Sequence, residues 1–280
     1  MPVRLYSTAY HNSNIKRLQP QGGNRHAVFL VTESEAITYH YELDLRPPAA
    51  SPDPRIAHTL NLRFDAYGRA LQTVAVVYPR LVPHADPANT LQGALALIRQ
   101  VQSERHLAYT ETRYTDELPE DPHQHRLPAA CEVLTYELTG ADSTHGFAPS
   151  SGIHFSLNDL RAFKLSGTPP GAGTKPVAKI DYHQQPSNDS AHQRIVEWVR
   201  MRYFKDDLSG AEPFGTHARL GLPYETYKLA LTKNLLGAVF GAKLTSDVLT
   251  KLDTATISGY IPGTVLQSTE LKVYRLEYPL

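Results

Sequence analysis

The stretch FDAYGR, Phe64 to Arg69, sets a carboxylate four positions ahead of a guanidinium, with a glycine just before the latter. Such a group has two uses. Asp65 could act as a catalytic or metal-binding carboxylate with Arg69 clamping an anion, or Asp65 could bond the backbone of a tight turn whose left-handed position Gly68 fills. Catalysis needs a second acid, a base or a nucleophile in reach. No second acidic group or histidine stands at a fixed short spacing, so Asp65, Gly68 and Arg69 are read as structural turn residues.

Other residue types with chemical potential are weaker still. His123, His125 and Cys131 are zinc-ligand types, but DPHQHRLPAAC lacks the second cysteine of a paired-ligand site, and no metal is expected. GTPPGAGTKP fails as a phosphate loop, because Lys175 is followed by Pro176 rather than by Ser or Thr entering a helix; it reads as a flexible surface loop. There is no Gly-x-Ser-x-Gly elbow, and Glu132 beside Cys131 would raise a thiol pKa. Asp206 and Asp207 are the remaining acidic pair. Tyr109–Tyr114 and Arg194–Phe204 carry arginines among aromatics. They could stack on a single-stranded nucleic acid or a glycan, but cross-strand pairing within a sheet is the simpler reading. His58 lies on an apolar strand face and reads as a satisfied core histidine. No catalytic residue, cofactor or metal site is assigned, and the chain is read as a non-enzyme.

Bulk composition agrees. Lys+Arg and Asp+Glu are both 28, so the net charge of +0 offers nothing to a polyanion, and no nucleic-acid partner is expected. The 16 Tyr outnumber the 8 Phe and the single Trp, a choice that suits half-buried sheet faces. One cysteine excludes an intrachain disulfide. The first residues lack the apolar core of a Sec-type signal, and no apolar run is long enough to span a membrane as a helix, so no direct membrane insertion is expected.

The elements that would hold these residues are mostly strands. His26–Thr32 and Ala36–Leu43 read as two strands. Ile56, His58, Leu60, Leu62 and Phe64 share one face, and Ala70–Tyr78 returns, giving an antiparallel hairpin around the Asp65–Gly68 turn. Leu107–Thr115, Cys131–Gly140, Val177–Gln184, Arg194–Phe204, Tyr227–Thr232 and Lys272–Tyr278 add further strands. Short helices are expected within residues 87–103, from the capping box Ser156-Leu-Asn-Asp159 through Phe163, from Thr232 to Phe240, and over Ser246–Leu252. The fold class is mainly β, built of antiparallel strands and hairpins with a few short helices in the connections.

A resemblance then becomes visible. RLQPQGGNRHAVFLVTESEAITYHYE, PDPRIAHTLNLRFDAYGRALQTVAVVYPR, YTETRYT, LPAACEVLTYELTG, RIVEWVRMRYFKDDLSG and LPYETYKLALTKNLLGAVFG occur in an order that resembles the middle/C-terminal region of the B component of insecticidal toxin complexes (TcB or TcdB type, SpvB/RHS-associated). FDAYGRAL also resembles the YD-repeat pattern of RHS proteins. The resemblance implies a structural role in a virulence factor. The B and C components of such toxins form a shell of antiparallel strands, which encloses a toxic C-terminal polypeptide and docks on a pore-forming A component. It carries no catalytic residue onto this chain, since the family's self-cleaving aspartate protease lies in the C component.

The resemblance also frames the chain. Residues 1–243 are expected to form the TcB-like β-shell region, N-terminally truncated relative to the family, and 244–280 a divergent tail. The chain thus reads as a fragment of a larger gene, a split subunit or a decayed relative. Its expected partners are the rest of the B component, the C component with its toxic cargo, and the A component. Its expected location is extracellular, as part of the secreted complex. Open strand edges would favour pairing with another chain or self-association. A stand-alone carbohydrate- or protein-binding β module is the first alternative, and an enzyme using Asp206/Asp207 or His123/His125 is the second and weaker one.

Overall fold

The computed structural model describes residues 5–41, 53–86, 88, 90–91, 93–118, 126–140, 146–187, 189–262 and 272–278. The protein is mainly β, with strands far outweighing short helices. Two compact units share the chain. The first takes residues 1–109, 138–177 and 188–191; the second takes 110–137, 178–187 and 192–280.

The first unit begins with an antiparallel series in chain order. Strand β1 (Ser7–Gln19) pairs with β2 (Val28–His40), β2 with β3 (Arg55–Phe64), and β3 with β4 (Ala70–Val77). Strand β1 is absent from the strands read off the sequence. Nearly all of its residues are exposed on both faces, so no apolar alternation marks it, and it is held by its backbone ladder to β2. The two separate strands expected at 26–32 and 36–43 are one strand from Val28 to His40, because Glu33 and Glu35 both pair with β1 and the extra residue Ser34 is absorbed as a register shift; residues 42 and 43 lie outside the described residues. The β3/β4 hairpin follows its expected alternation. Ile56, His58, Leu60 and Leu62 are buried on one face, and Gln72, Val74, Val76 and Tyr78 are buried from the returning strand. Phe64 is only half-buried, because the register shifts on either side of Arg63. Helix α1 (Ala94–Ser103) follows, shorter than its sequence window.

Strands β5 (His106–Tyr114) and β6 (Ala130–Thr139) have residues in both units. Residues 146–165 complete the first unit's core. Phe147 and Phe163 pack with ring centroids 4.4 Å apart, and Phe155, Leu160 and Leu165 are buried with them. Helix α2 (Leu157–Arg161) carries the expected capping box. Asp159 N–H donates to the Ser156 hydroxyl at 3.2 Å, and Ser156 N–H donates to Asp159 Oδ2 at 2.7 Å. The helix stops short of Phe163, whose backbone instead bridges to Lys175. GTPPGAGTKP is therefore anchored rather than free: Lys164 N–H donates to Lys175 O, Thr174 N–H to Ala162 O, and the Lys175 ammonium sits 5.0 Å from the Phe163 ring centroid.

In the second unit β7 (Ala178–Ile180) runs parallel to β8 (His192–Tyr203), which pairs antiparallel with β9 (Pro223–Thr232). Thr232 ends β9 and caps helix α3 (Lys233–Phe240), its hydroxyl accepting from Leu235 N–H. Two further helices, α4 (Ser246–Leu252) and α5 (Ala255–Ser258), precede β10 (Ile261–Pro262) and β11 (Lys272–Tyr278); β11 pairs with both β9 and β10. Residues beyond 243 thus contribute two strands, β10 and β11, to this unit's sheet. No helix among the described residues is long and apolar enough to cross a membrane.

Gly140, just after β6, sits at φ +83° with an added Cβ only 1.9 Å from the Ser190 carbonyl oxygen; Gly152, at φ +68°, faces open space. Both alanine variants incur the left-handed penalty of about 1–2 kcal/mol. Only Gly140→Ala also forces two backbone segments apart. Chemical denaturation should show Gly140→Ala losing clearly more stability than Gly152→Ala, and equal losses would refute the close approach.

Candidate functional site

Three polar constellations are candidates for chemistry. The first is the hairpin turn. Asp65 Oδ1 accepts from the N–H groups of Tyr67 and Arg69, both at 2.9 Å, and Asp65 Oδ2 accepts from Arg69 Nε at 2.6 Å. The backbone closes the loop: Asp65 N–H donates to Arg69 O and Gly68 N–H to Asp65 O. The guanidinium also lies 5.2 Å from the Tyr67 ring centroid. Burial pushes the Asp65 pKa up, but the bonds from Arg69 and Tyr67 outweigh it and hold the carboxyl below its usual range. Gly68 has φ +82°, and a Cβ there would meet Leu30 and Thr32 side chains of β2 at 3.1 Å. Both Asp65 oxygens are therefore occupied by the turn itself.

The second constellation is buried in the first unit. His58, on β3, is 2% exposed. Its Nε2 lies 3.1 Å from Glu35 Oε1 and its Nδ1 lies 2.8 Å from the Tyr78 hydroxyl. The carboxylate can only accept, so Nε2 carries the proton, and Nδ1 accepts from Tyr78. The Tyr78 oxygen in turn accepts from Phe155 N–H at 2.9 Å. Around this chain of bonds, His154 stands edge-on to Tyr78 at 4.9 Å, Tyr39 bonds His154, and Arg105 lies over the Tyr78 and Phe155 rings. A Glu–His–Tyr relay has the composition of a general-base device. Its environment works against that use. Burial pushes the phenol up to about 12, and burial also lowers His58 despite Glu35. The relay links Glu35 of β2, His58 of β3, Tyr78 after β4 and Phe155, so it ties the first unit together. His58 is thus the satisfied core histidine expected.

The third constellation is in the second unit. The Glu132 side chain is 0% exposed. Arg200 Nε lies 2.7 Å from its Oε1 and Arg113 Nη1 lies 2.9 Å from its Oε2; the Trp198 indole N–H also donates to Oε1. Arg113 is shared with Glu111, and the Arg200 guanidinium sits between the rings of Trp198 and Phe214 at 4.7 and 4.5 Å. In the sequence Glu132 stands out only as the neighbour of Cys131. The available signal was its place on an apolar face with Leu134, Tyr136 and Leu138, where an unpaired carboxylate would be costly.

The remaining sequence candidates stay apart. Cys131 is buried, its thiol donates to Arg113 O at 3.5 Å, and burial followed by Glu132 pushes its pKa up to about 11. An unreactive thiol follows. His123 and His125 lie outside the described residues. Asp206 accepts from Arg219 and Leu220 N–H groups and ties its own segment to theirs, and Asp207 accepts from Ser209 N–H within a turn. Among the described residues no cluster of three or more His, Cys, Asp or Glu could hold a metal ion.

A long antiparallel β segment whose polar clusters are spent on holding strands together is the kind of chain these observations define. Residues 2–127 match the family model of the insecticide toxin TcdB middle/C-terminal region. Two crystal structures share its fold. TcdB2-TccC3-Cdc42 is 19% identical, with a TM-score of 0.61 over 97% of this chain. TcdB2-TccC3-TEV is 18% identical, with a TM-score of 0.62 over 96%. The chain spans 11% of the length of each of those solved chains. No curated protein matches it.

Two expectations follow from the buried groups. His58 and His154 in the first unit and His217 in the second are all held below the ordinary 6.5, chiefly by burial. The unfolded chain therefore takes up protons below about pH 6.5 that the folded chain refuses. Stability is full above that pH and falls as pH drops below it. Thermal melts between pH 7.5 and 5 should show Tm decreasing, with a shallower slope in His58→Gln, which is itself destabilised because Tyr78 and Glu35 lose their partner. A flat profile in the parent chain would contradict the buried neutral relay. In the hairpin, Gly68→Ala should cost about 1–2 kcal/mol by urea denaturation. Asp65→Asn should cost about 1 kcal/mol through its lost charge-assisted bond to Arg69.

Proposed function

We propose that this chain is a non-catalytic structural segment of a toxin-complex B component, contributing strands to a β-shell that encloses and delivers a toxic C-terminal polypeptide. The observation that carries this reading is the coincidence of the TcdB-type match over residues 2–127 with a fold shared over nearly the whole chain with TcdB2-TccC3 structures. The closed polar networks support it, since Asp65 is engaged in closing its own turn and His58 and Glu132 in joining strands of their own units. In this reading Asp65, Gly68 and Arg69 are turn residues of one stave. Residues 1–243 form the shell region, and 244–280 a tail that adds β10 and β11. The partners are the rest of the B component, a C component and a pore-forming A component, and the assembled complex acts outside the producing cell.

The β1 edge supports the partner assignment. Among the described residues β1 pairs only with β2, and Ile15, Leu18, Phe29 and Val31 are exposed along these two strands. Long open edges with apolar side chains template pairing. The 280-residue chain should therefore associate with itself when isolated, and Ile15→Lys with Val31→Glu should reduce that association. Light scattering across micromolar concentrations reads this directly, and a monodisperse monomer throughout would count against the edge argument. The shell role itself is tested in a full-length B component carrying this region, co-purified with its C component. Swapping the region for an unrelated β domain should expose the toxic polypeptide to protease, and unchanged protection would sink the proposal.

A further inference from the structure

The second unit contains a cleft of about 470 Å³ that shares only Trp198 with the Glu132 cluster. Its size is that of a small-ligand site. It opens between the β7 end, β8 and the start of α3, and its walls combine two kinds of side chain. Tyr182 and Trp198 supply aromatic surface, Tyr182 being 42% exposed. Lys179, Asp181, Lys233 and Asn234 supply charge and hydrogen bonding. Two features preset this arrangement. Asn234 Nδ2 donates to Asp181 Oδ2 at 2.9 Å, joining the α3 start to the residue after β7. Trp198 is fixed by its bond to Glu132 and by the Arg200 guanidinium against its ring.

The mixture narrows the ligand. A purely apolar molecule would strip water from two lysines and an aspartate without replacing it. A bare inorganic anion would leave the aromatic surface unused. A sugar fits both walls. Its C–H face packs on an aromatic ring, and its hydroxyls both donate and accept. They suit a wall that presents an acceptor in Asp181, both functions in Asn234, and donors in Lys179 and Lys233. Two ammonium groups against one carboxylate leave a net positive charge in the cleft. We propose that this cleft binds a saccharide of one or two rings bearing a carboxylate, a uronate-type ligand, with Tyr182 as the stacking residue and Lys233 as the partner of the carboxylate. The site is separate from any shell-forming role and stands or falls independently of it.

Trp198 is the chain's only tryptophan, so fluorescence excited selectively at tryptophan reports from one wall of the cleft. The 280-residue chain is titrated with D-glucuronate, D-glucose and acetate. The expected result is a saturable change with glucuronate, at least about tenfold weaker binding of glucose, and no saturation with acetate. Tyr182→Ala, a partly exposed position checked for folding by circular dichroism, should weaken glucuronate by about tenfold or more. Lys233→Ala should bring glucuronate to the affinity of glucose. The proposal is overturned by no saturable change with glucuronate, by acetate binding as well as glucuronate, or by a folded Tyr182→Ala variant that binds unchanged.

Discussion

A carboxylate shut away from water must be paired, and that constraint organises the second unit. Glu132 on β6 is met by Arg200 and Trp198 on β8 and by Arg113 on β5. Side chains alternate between faces with a period of two, so a one-residue slip of any of these strands would turn its member of the set to the wrong face. The mispaired alternative leaves a buried ion without a counter-charge, a fault worth several kcal/mol. The cluster thereby selects one register among those that the apolar alternation alone would permit. The first unit solves the same problem with neutral groups. His58 needs Tyr78 on one side and Glu35 on the other, and only the observed β2–β3–β4 order brings all three together.

These networks matter more because the sheet faces are not uniformly apolar. β8 is mostly half-buried along its length, and β9 is half-buried at all but a few positions. Such strands gain less from the hydrophobic effect than a sandwich core does. Specific bonds between distant segments make up part of the difference in order, if not in energy. Arg161 reaches Leu62 O, and Tyr109 and Gln72 both donate to Ser166 O, which fastens residues 161–166 to the strands of the first unit. The tyrosine-rich composition has its explanation here: a tyrosine fills apolar space with its ring and delivers a donor at the end of it, as Tyr78, Tyr109 and Tyr203 all do.

What sequence disclosed and what it hid divide along the same line. The β3/β4 hairpin, the Ser156 capping box and the Thr232 cap are local devices, written within a few residues, and each was legible. β1 was not, because a strand exposed on both faces has no periodic signature. β2 was split because Glu33 and Glu35 look like an interruption, although Glu35 is where the relay begins. The Glu132 cluster joins residues 66 and 68 positions apart, and no local pattern announces a partner at that range. A charged residue in an apolar register was the one clue available, and it recurs: Glu111 shares a face with Leu107 and Tyr109 on β5, as Glu132 does with Leu134 and Tyr136 on β6.

The same clue separates structural from functional polarity in this chain. Where a polar group sits in an apolar register, its bonds run to other strands and it is closed to solvent, as with Glu132 and His58. Where polar groups gather just past strand ends, as Asp181 does after β7 and Lys233 and Asn234 do after β9, they line an open cleft. A strand that serves only as a stave has no need of preset aromatic and charged groups at its end. Loops at strand ends are also where a sheet can carry a site without disturbing its ladder, because the ladder itself stays rigid. The fold thus leaves room for recognition chemistry at its margins while its faces are committed to holding it together.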